Sequence, residues 1–376
     1  MGVNVVKLGD FVKIQTGKLD ANAADENGLY PFFTCAVEPL AINTYAYDCE
    51  CILIAGNGDL NVKYYNGKFN AYQRTYIIEV TDKTLDIRYL YHFLTKYINV
   101  LRQNSIGGVI KYIKLGDLTG IKLPLPTIEE QEKIVSILDK ADEIRAKKKL
   151  ANDKLDEFLK STFISMFGDP KTNPNNYEFA TINDLTTEIS DIGSNGSNAV
   201  VASNLVMSDT EDYAYMIRTL NFNDTNIMNN MKYVSKKVYD FFKKSQIFGN
   251  EIIMCKIGSA GKFWIMPKLD KPVSLGLNQF FMRFNDKVLR EFVYYFLSTG
   301  FGQNEIDNRI SGAVTKSITK GAIRTIPIYL PSMDEQNKFA KIVEKVEAQK
   351  QKNELVVEQM NNLFNSLSQR AFKGEL

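Results

Sequence analysis

One stretch of this chain occurs twice. From Gly107 to Gln131 it reads GGVIKYIKLGDLTGIKLPLPTIEEQ, and from Gly312 to Gln336 it reads GAVTKSITKGAIRTIPIYLPSMDEQ. The copies align without a gap at a shift of 205 residues, with Gly107 on Gly312, Lys111 on Lys316, Ile121 on Ile326, Pro126 on Pro331 and Gln131 on Gln336. Each runs into a long polar stretch with helical spacing. A period of about half the chain indicates a duplicated domain and excludes a solenoid of short repeats. Any function must therefore need the same module twice.

The bulk numbers set wide bounds. A length of 376 residues allows two or three domains with real cores. A net charge of +2, from 46 basic and 44 acidic side chains, means that any nucleic-acid partner must meet locally clustered positive charge. Cys35, Cys49, Cys51 and Cys255 have neither disulfide-like nor zinc-like spacing, and His92 is the only histidine, so structural zinc is not expected. Cys49 and Cys51 share a face of a strand and read as apolar core. The amino-terminal MGVNVVKLGDFVKI has no secretory pattern, and no run approaches the ~20 apolar residues of a membrane span. The expected location is the cytoplasm.

The chain divides into four parts: residues 1–125, a helix over 126–168, residues 169–331, and a second helix over 332–376. In the first part, KLGDFVKIQTGK is strand-like and ends at Gly17, and Cys51 to Ala55 is a buried strand followed by the Gly56–Asp59 turn. NVKYYNGKFNAYQRTYIIEV predicts a hairpin around Asn66-Gly67. Asp86 to Arg102 has helical apolar spacing at Leu90, Phe93, Leu94, Tyr97 and Leu101. The third part repeats this plan: EIIMCKIGSAGKFWI answers CILIAGNGDLNVKYY, and LGLNQFFMRF answers NAYQRTYIIEV, which sets Gln279 on Gln73. Ile189 to Asn204 is a Gly/Ser/Asn-rich loop without a counterpart in the first half.

Thr127 and Glu130 fit a capping box at the start of the first long helix. Its heptads place Ile134, Ala141, Lys148 and Leu155 on one seam position and Ile137, Ile144 and Phe158 on the other. The last helix places Phe339, Val346, Asn353 and Met360 on one, and Ile342, Gln349, Val356 and Leu363 on the other. Each seam is apolar at its ends and polar in the middle. A polar layer fixes register for either a parallel or an antiparallel pair, and the duplication favours the antiparallel one. The blander alternative packs each helix on its own domain. The fold class is thus α+β: two similar mixed α/β domains separated by two long helices forming an antiparallel coiled coil, with a pseudo-two-fold internal repeat.

Catalytic signatures are missing. No Gly-x-x-x-x-Gly-Lys-Ser/Thr loop exists, and one histidine leaves no histidine-based triad. Asn173-Pro174-Asn175-Asn176-Tyr177 resembles the Asn-Pro-Pro-Tyr of adenine methyltransferases but lacks the second proline and a glycine-rich cofactor strand, so it reads as a loop. The repeated loops suit another task. Gly107, Gly108 and Gly312 allow close backbone approach, and Lys111 and Lys316 follow them, a combination suited to phosphate contact. Asn57, Lys63, Tyr64, Arg218, Lys256, Ser259 and Lys262 cluster near turns. Gln73 with Arg74, and Asn278 with Gln279, can pair with purine edges. The plainer alternative for Gln73 and Gln279, within aromatic strands, is that they satisfy buried backbone groups.

At the entry to each helix the chain resembles the specificity subunit of type I restriction–modification systems. The resemblance covers the whole chain. It is carried by Ile-x-Leu-Pro-x-Pro-x-x-x-Glu-Gln at Ile121 to Gln131, by KIVSILDKAD and by the terminal FKGEL; the second entry, Ile326 to Gln336, departs at Tyr329. The resemblance implies two target-recognition domains, each reading half of a bipartite DNA sequence, and a helical pair that sets the spacing. It also implies methylation subunits docked on this chain, and a restriction subunit in some assemblies. S-adenosylmethionine, Mg and ATP would belong to those partners; the chain itself would carry no cofactor and catalyse nothing. Two other classes fit less well. A protein-binding adaptor with two β-rich modules suits the 11% aromatic content. A fused restriction–methylation enzyme would need a methyltransferase signature that the chain lacks.

Overall fold

The computed structural model describes residues 4–107, 111–224 and 226–373. Two compact units emerge: Met1–Leu150 with Asn353–Leu376, and Ala151–Lys352. The division falls in the middle of both long helices, so each unit holds one β-rich body and half of each helix. No helix among the described residues is long and apolar enough to cross a membrane.

The first unit is built on a six-stranded sheet in the order Val12–Thr16, Thr75–Val80, Tyr47–Ala55, Val62–Ala71, Tyr30–Phe33, Leu40–Ile42. All pairings are antiparallel except that of Tyr30–Phe33 with Val62–Ala71. Two-residue periodicity sorts its core. Ile52, Ile54 and Ile78 face the helix Ile87–Asn104, whereas Cys51, Leu53 and Ile77 face Phe33 and Phe69 on the other side. Cys51 is thus core, as its spacing suggests, and burial pushes its thiol well above the ordinary range. The helix is capped by Asp86, whose side chain accepts from Tyr89 N, and it buries Leu90, Phe93, Leu94 and Leu101. The hairpin expected at Asn66-Gly67 is absent. Val62–Ala71 runs straight through it, with Asn66 opposite Glu50 and Gly67 opposite Cys49. The long partner strand Tyr47–Ala55 satisfies the backbone on both sides of the dipeptide, and the reversals fall instead before Val62 and after Ala71.

The second unit repeats the central strand order: Thr186–Ser190, Gln279–Phe284, Ile252–Cys255, Phe263–Ile265, all antiparallel. Whereas the first unit's two extra short strands complete its six-stranded sheet, this unit holds a separate second sheet, Lys232–Val234, Ala214–Ile217, Val273–Leu275, Gln246–Ile247. Its sequence shows no clean alternation, because Ala214–Ile217 and Val273–Leu275 are buried throughout. The stretch expected to be a loop over Ile189 to Asn204 is partly helical: a turn at Ile192–Asn195, then Asn198–Asn204 capped by Ser197, whose Oγ accepts from Val200 N. Asn173-Pro174-Asn175-Asn176-Tyr177 is a tight turn after the first long helix, closed by Asn173 Oδ1 accepting from Tyr177 N at 3.0 Å.

The long helices span Ile128–Phe167 and Met333–Lys373. Each opens with a capping box. Glu130 accepts from Thr127 N at 2.9 Å, and Glu335 from Ser332 N at 3.0 Å. The next residue explains the repeated Glu-Gln. Gln131 is fully buried; its Oε1 accepts from Asp86 N, and its Nε2 donates to Thr84 O and Pro126 O. Gln336, also fully buried, does the same with Leu289 N, Lys287 O and Pro331 O. Each amide pins the start of a long helix to the start of its unit's domain helix.

Within each unit the helices run antiparallel. In the first, Ile134, Leu138 and Ala141 share a core with Phe364, and Arg145 stacks over the Phe364 ring at 4.7 Å. In the second, Leu159, Phe163 and Phe167 share a core with Phe339, Val343 and Val346. The expected seam is half right. Ile134, Ala141, Phe339 and Val346 are buried and Leu155 and Met360 partly so, but Ile137, Phe158 and Leu363 are 43%, 49% and 47% exposed. The second seam position lies one residue later, at Leu138, Leu159, Val343 and Phe364, so the step from Ile134 is four residues before it is three. One residue turns a side chain about 100°, which leaves Ile144, Ile342 and Val356 on the half-buried flank.

Candidate nucleic-acid interface

Both units knot three separate loops together with the same backbone hydrogen bonds. In the first, Gly58 N donates to Lys111 O at 2.9 Å, Ile113 N to Gly56 O at 3.0 Å, and Gly56 N to Arg74 O at 2.8 Å. In the second, Gly258 N donates to Lys316 O at 3.0 Å, Ile318 N to Lys256 O at 2.9 Å, and Lys256 N to Asn278 O at 2.7 Å. Tyr112 then bridges both Asn57 and Ile106, as Ser317 bridges Ile257 and Ser311. Residues from three distant parts of the chain thereby reach one tip in each unit.

At the first tip stand Asn57, Arg74, Gly107 and Lys111, with Gln73 beside Arg74; Gln73, Arg74 and Lys111 are exposed. Gly107 has φ +120°. Gly108 lies outside the described residues. Arg102 secures the turn, donating to Leu60 O at 2.6 Å and to Asp59 at 3.2 Å; its place on the helix flank gave no signal in the sequence. Two candidates sit elsewhere. Lys63 lies in a strand with its ammonium on Asn61, and burial lowers its pKa. The Tyr64 hydroxyl donates to Glu50, and its ring lies 4.4 Å from the Arg88 guanidinium, at the joint between sheet and helix. Both are better explained by the fold than by a ligand.

At the second tip stand Lys256, Ser259, Lys262, Asn278, Gly312 and Lys316. Gly312 has φ +100°, and a Cβ there would meet Thr315 O at 2.2 Å, so the turn admits only glycine. Asn278 adopts φ +66° and is exposed, as are Lys262 and Lys316. Lys256 is held differently. Asp191, with a side chain 6% exposed, accepts from Lys256 Nζ at 2.8 Å, Lys320 Nζ at 2.7 Å and Ser194 Oγ at 2.8 Å. Burial alone would raise the Asp191 carboxyl; the hydrogen bonds from Lys256, Lys320 and Ser194 outweigh it and bring the pKa down to about 2. Arg218 is partly buried and donates to Asn230 O, bracing its own loop.

Gln279 does not face outward. It is fully buried, with Nε2 donating to Ile217 O at 3.1 Å and Oε1 accepting from Thr219 N at 2.9 Å. The pairing of Cys255 with Gln279 and of Ala55 with Thr75 makes Thr75, not Gln73, its counterpart. Thr75 is likewise buried and donates to Phe33 O. Both side chains tie the central sheet to the end of a neighbouring strand, so Gln279 is a structural residue.

The arrangement presents glycine turns, exposed ammonium groups and amides at one tip per unit, the groups that contact phosphates and base edges. A family model described as the type I restriction modification DNA specificity domain matches residues 1–157 and again 160–358. The chain is 31% identical to the type I restriction enzyme EcoDI specificity subunit of Escherichia coli, over 99% of this chain and 88% of that protein. It is 22% identical to the EcoBI specificity subunit of the same organism, over 87% and 74%. Its fold matches that of the type I restriction–modification S subunit from M. genitalium with a TM-score of 0.57 at 16% identity, covering 98% and 96% of the two chains. The chain belongs to the family of type I restriction–modification DNA specificity subunits.

Proposed function

We propose that this chain is the sequence-specific DNA-recognition subunit of a type I restriction–modification complex, each unit reading one half of a bipartite target. The observation that carries this reading is the three-loop tip, built twice with the same hydrogen bonds and presenting Lys111 in one copy and Lys316 in the other. Lysine–phosphate contacts supply salt-dependent affinity and register, and loop side chains around them select base edges. The long helices set the distance between half-sites and dock the methylation subunits. A restriction subunit joins where the system cleaves. The chain contributes no chemistry of its own; S-adenosylmethionine, Mg and ATP sit on partner subunits. The assembly works in the cytoplasm.

Deleting one heptad from each long helix tests this. The methylated motif should keep both half-sites and lose base pairs from the unread gap. An unchanged gap contradicts the spacing role, and a complex that retains no duplex DNA at low salt points to the protein-adaptor alternative.

A further inference from the structure

Next to the second tip is a cleft of about 400 Å³ lined by Asn223, Gly261, Lys262, Trp264, Gln303 and Asp307. It continues into a second of about 380 Å³, which shares Lys262 and Asp307 and reaches Ser259 and Lys316. The walls are built. Trp264 stacks on Phe222 with ring centres 4.9 Å apart and planes 14° apart. Gly261, at φ +84°, lies so close to the helix Gly300–Asp307 that a Cβ would meet Ile306 Cγ2 at 2.6 Å. Gln303 is fixed by donation from its Nε2 to Leu297 O at 2.7 Å.

Asp307 is disfavoured by its place in its own helix. It is the last residue of its helix, where the helix dipole disfavours a negative charge. It is exposed and forms no ion pair among the described residues, although Lys262 and Lys316 line the same cleft. On a surface that meets phosphates, a free carboxylate is repulsive. The exception is a carboxylate that accepts a hydrogen bond from an exocyclic amino group in the major groove, cytosine N4 or adenine N6. A carboxylate at a helix C-terminus, beside two lysines yet in no ion pair with them, is available to accept such an amino group.

We propose that Asp307 is a specificity-determining residue that reads one base amino group in the half-site taken by the second unit, flanked by phosphate contacts from Lys262 and Lys316. This rests on the DNA-recognition reading above. Rejection works both ways, since a base presenting a carbonyl there would face the carboxylate oxygen to oxygen.

The test is methylation sequencing of DNA modified by the assembled complex carrying Asp307→Ala. The exposed Asp286→Asn serves as a control for charge alone. The expected result is loss of selectivity at one position of one half-site, with discrimination there falling about tenfold or more. The other half-site and the gap should stay as in the wild type, as should the whole Asp286→Asn motif. Whether the relaxed position held cytosine or adenine identifies the amino group. An unchanged Asp307→Ala motif, or equal loosening of both half-sites, overturns the proposal. A wild-type complex that methylates no bipartite site overturns the underlying reading and this one with it.

Discussion

Lys148 Nζ donates to Asn353 Oδ1 at 3.2 Å, and these two residues occupy the same position in the two copies of the repeat, 205 residues apart. The neighbouring pairs are related in the same way. Arg145 donates to Asn361 at 2.9 Å in the first unit, and Lys350, the counterpart of Arg145, donates to Asp156, the counterpart of Asn361, at 2.8 Å in the second. An antiparallel pair of duplicated helices must bring one position face to face with its own copy, and here that layer is polar. Replacing Lys148 and Asn353 together with leucine should raise stability by roughly 1–3 kcal/mol while loosening register. Denaturant unfolding reads the first effect and sizing chromatography the second. A destabilised double variant would show that the layer contributes to stability as well as to register.

Gln131→Ala should cost about 2–4 kcal/mol, because it removes a fully buried amide and leaves the part-buried Asp86 N–H and the Thr84 and Pro126 carbonyls without it. Gln336→Ala should cost the same for Leu289 N, Lys287 O and Pro331 O. Urea midpoints of the two single variants check this. A loss below about 0.5 kcal/mol in either would refute the pinning role.

These amides show how far the sequence could be read. The repeat, the capping boxes, the domain helix and the antiparallel pair all follow from spacing and duplication. The repeated Glu-Gln was visible as a motif, but its purpose depends on the backbone groups of a segment some 45 residues earlier. The second seam position lies one residue from the place its spacing suggests, because Ile137 and Leu138 are chemically alike and the sequence does not say which faces the core. Asn66-Gly67 failed as a turn because a long partner strand outweighed a local preference. Gln279 was offset by two positions against Gln73, since aligning strands of differing loop length leaves the count ambiguous. Asp307 carries no signal in the sequence, because an exposed acid becomes informative only beside the lysines that the fold brings near it.

The two units should respond differently to acid. His92 is buried, and burial holds its imidazole below the ordinary 6.5 despite the hydrogen bond to Asp139. A lowered histidine pKa means that the unfolded chain binds more protons, so the first unit loses stability as pH falls below about 6.5. Asp191 is lowered to about 2 from 3.8, so its contribution is full above about pH 4 and fades as pH falls toward 2. The single tryptophan, Trp264, reports the second unit alone. Between pH 6.5 and 5, protection factors against hydrogen exchange, taken relative to the intrinsic rate at each pH, should fall around the Ile87–Asn104 helix while Trp264 fluorescence stays constant. Asp191→Asn should weaken the second unit by about 2 kcal/mol at neutral pH. Simultaneous loss of both units near pH 6 would contradict the assignment.

Lys111 and Lys316 should act on affinity without acting on sequence. Alanine at either position should weaken binding about equally for target and non-target duplexes. Each change should lower the slope of log affinity against log salt by about 0.9. Fluorescence anisotropy across a salt series measures both. A change in motif preference with an unaltered slope would mean that these lysines read bases instead.

One chain that carries two separate readers should leave a two-block mark on the genome. Single-molecule methylation sequencing of host DNA, with this gene present and then deleted, tests it most directly. Deletion should remove methylation from one motif made of two short blocks separated by a gap of constant length. Loss of a single contiguous motif, or no change in a cell that supplies working methylation subunits, would contradict it.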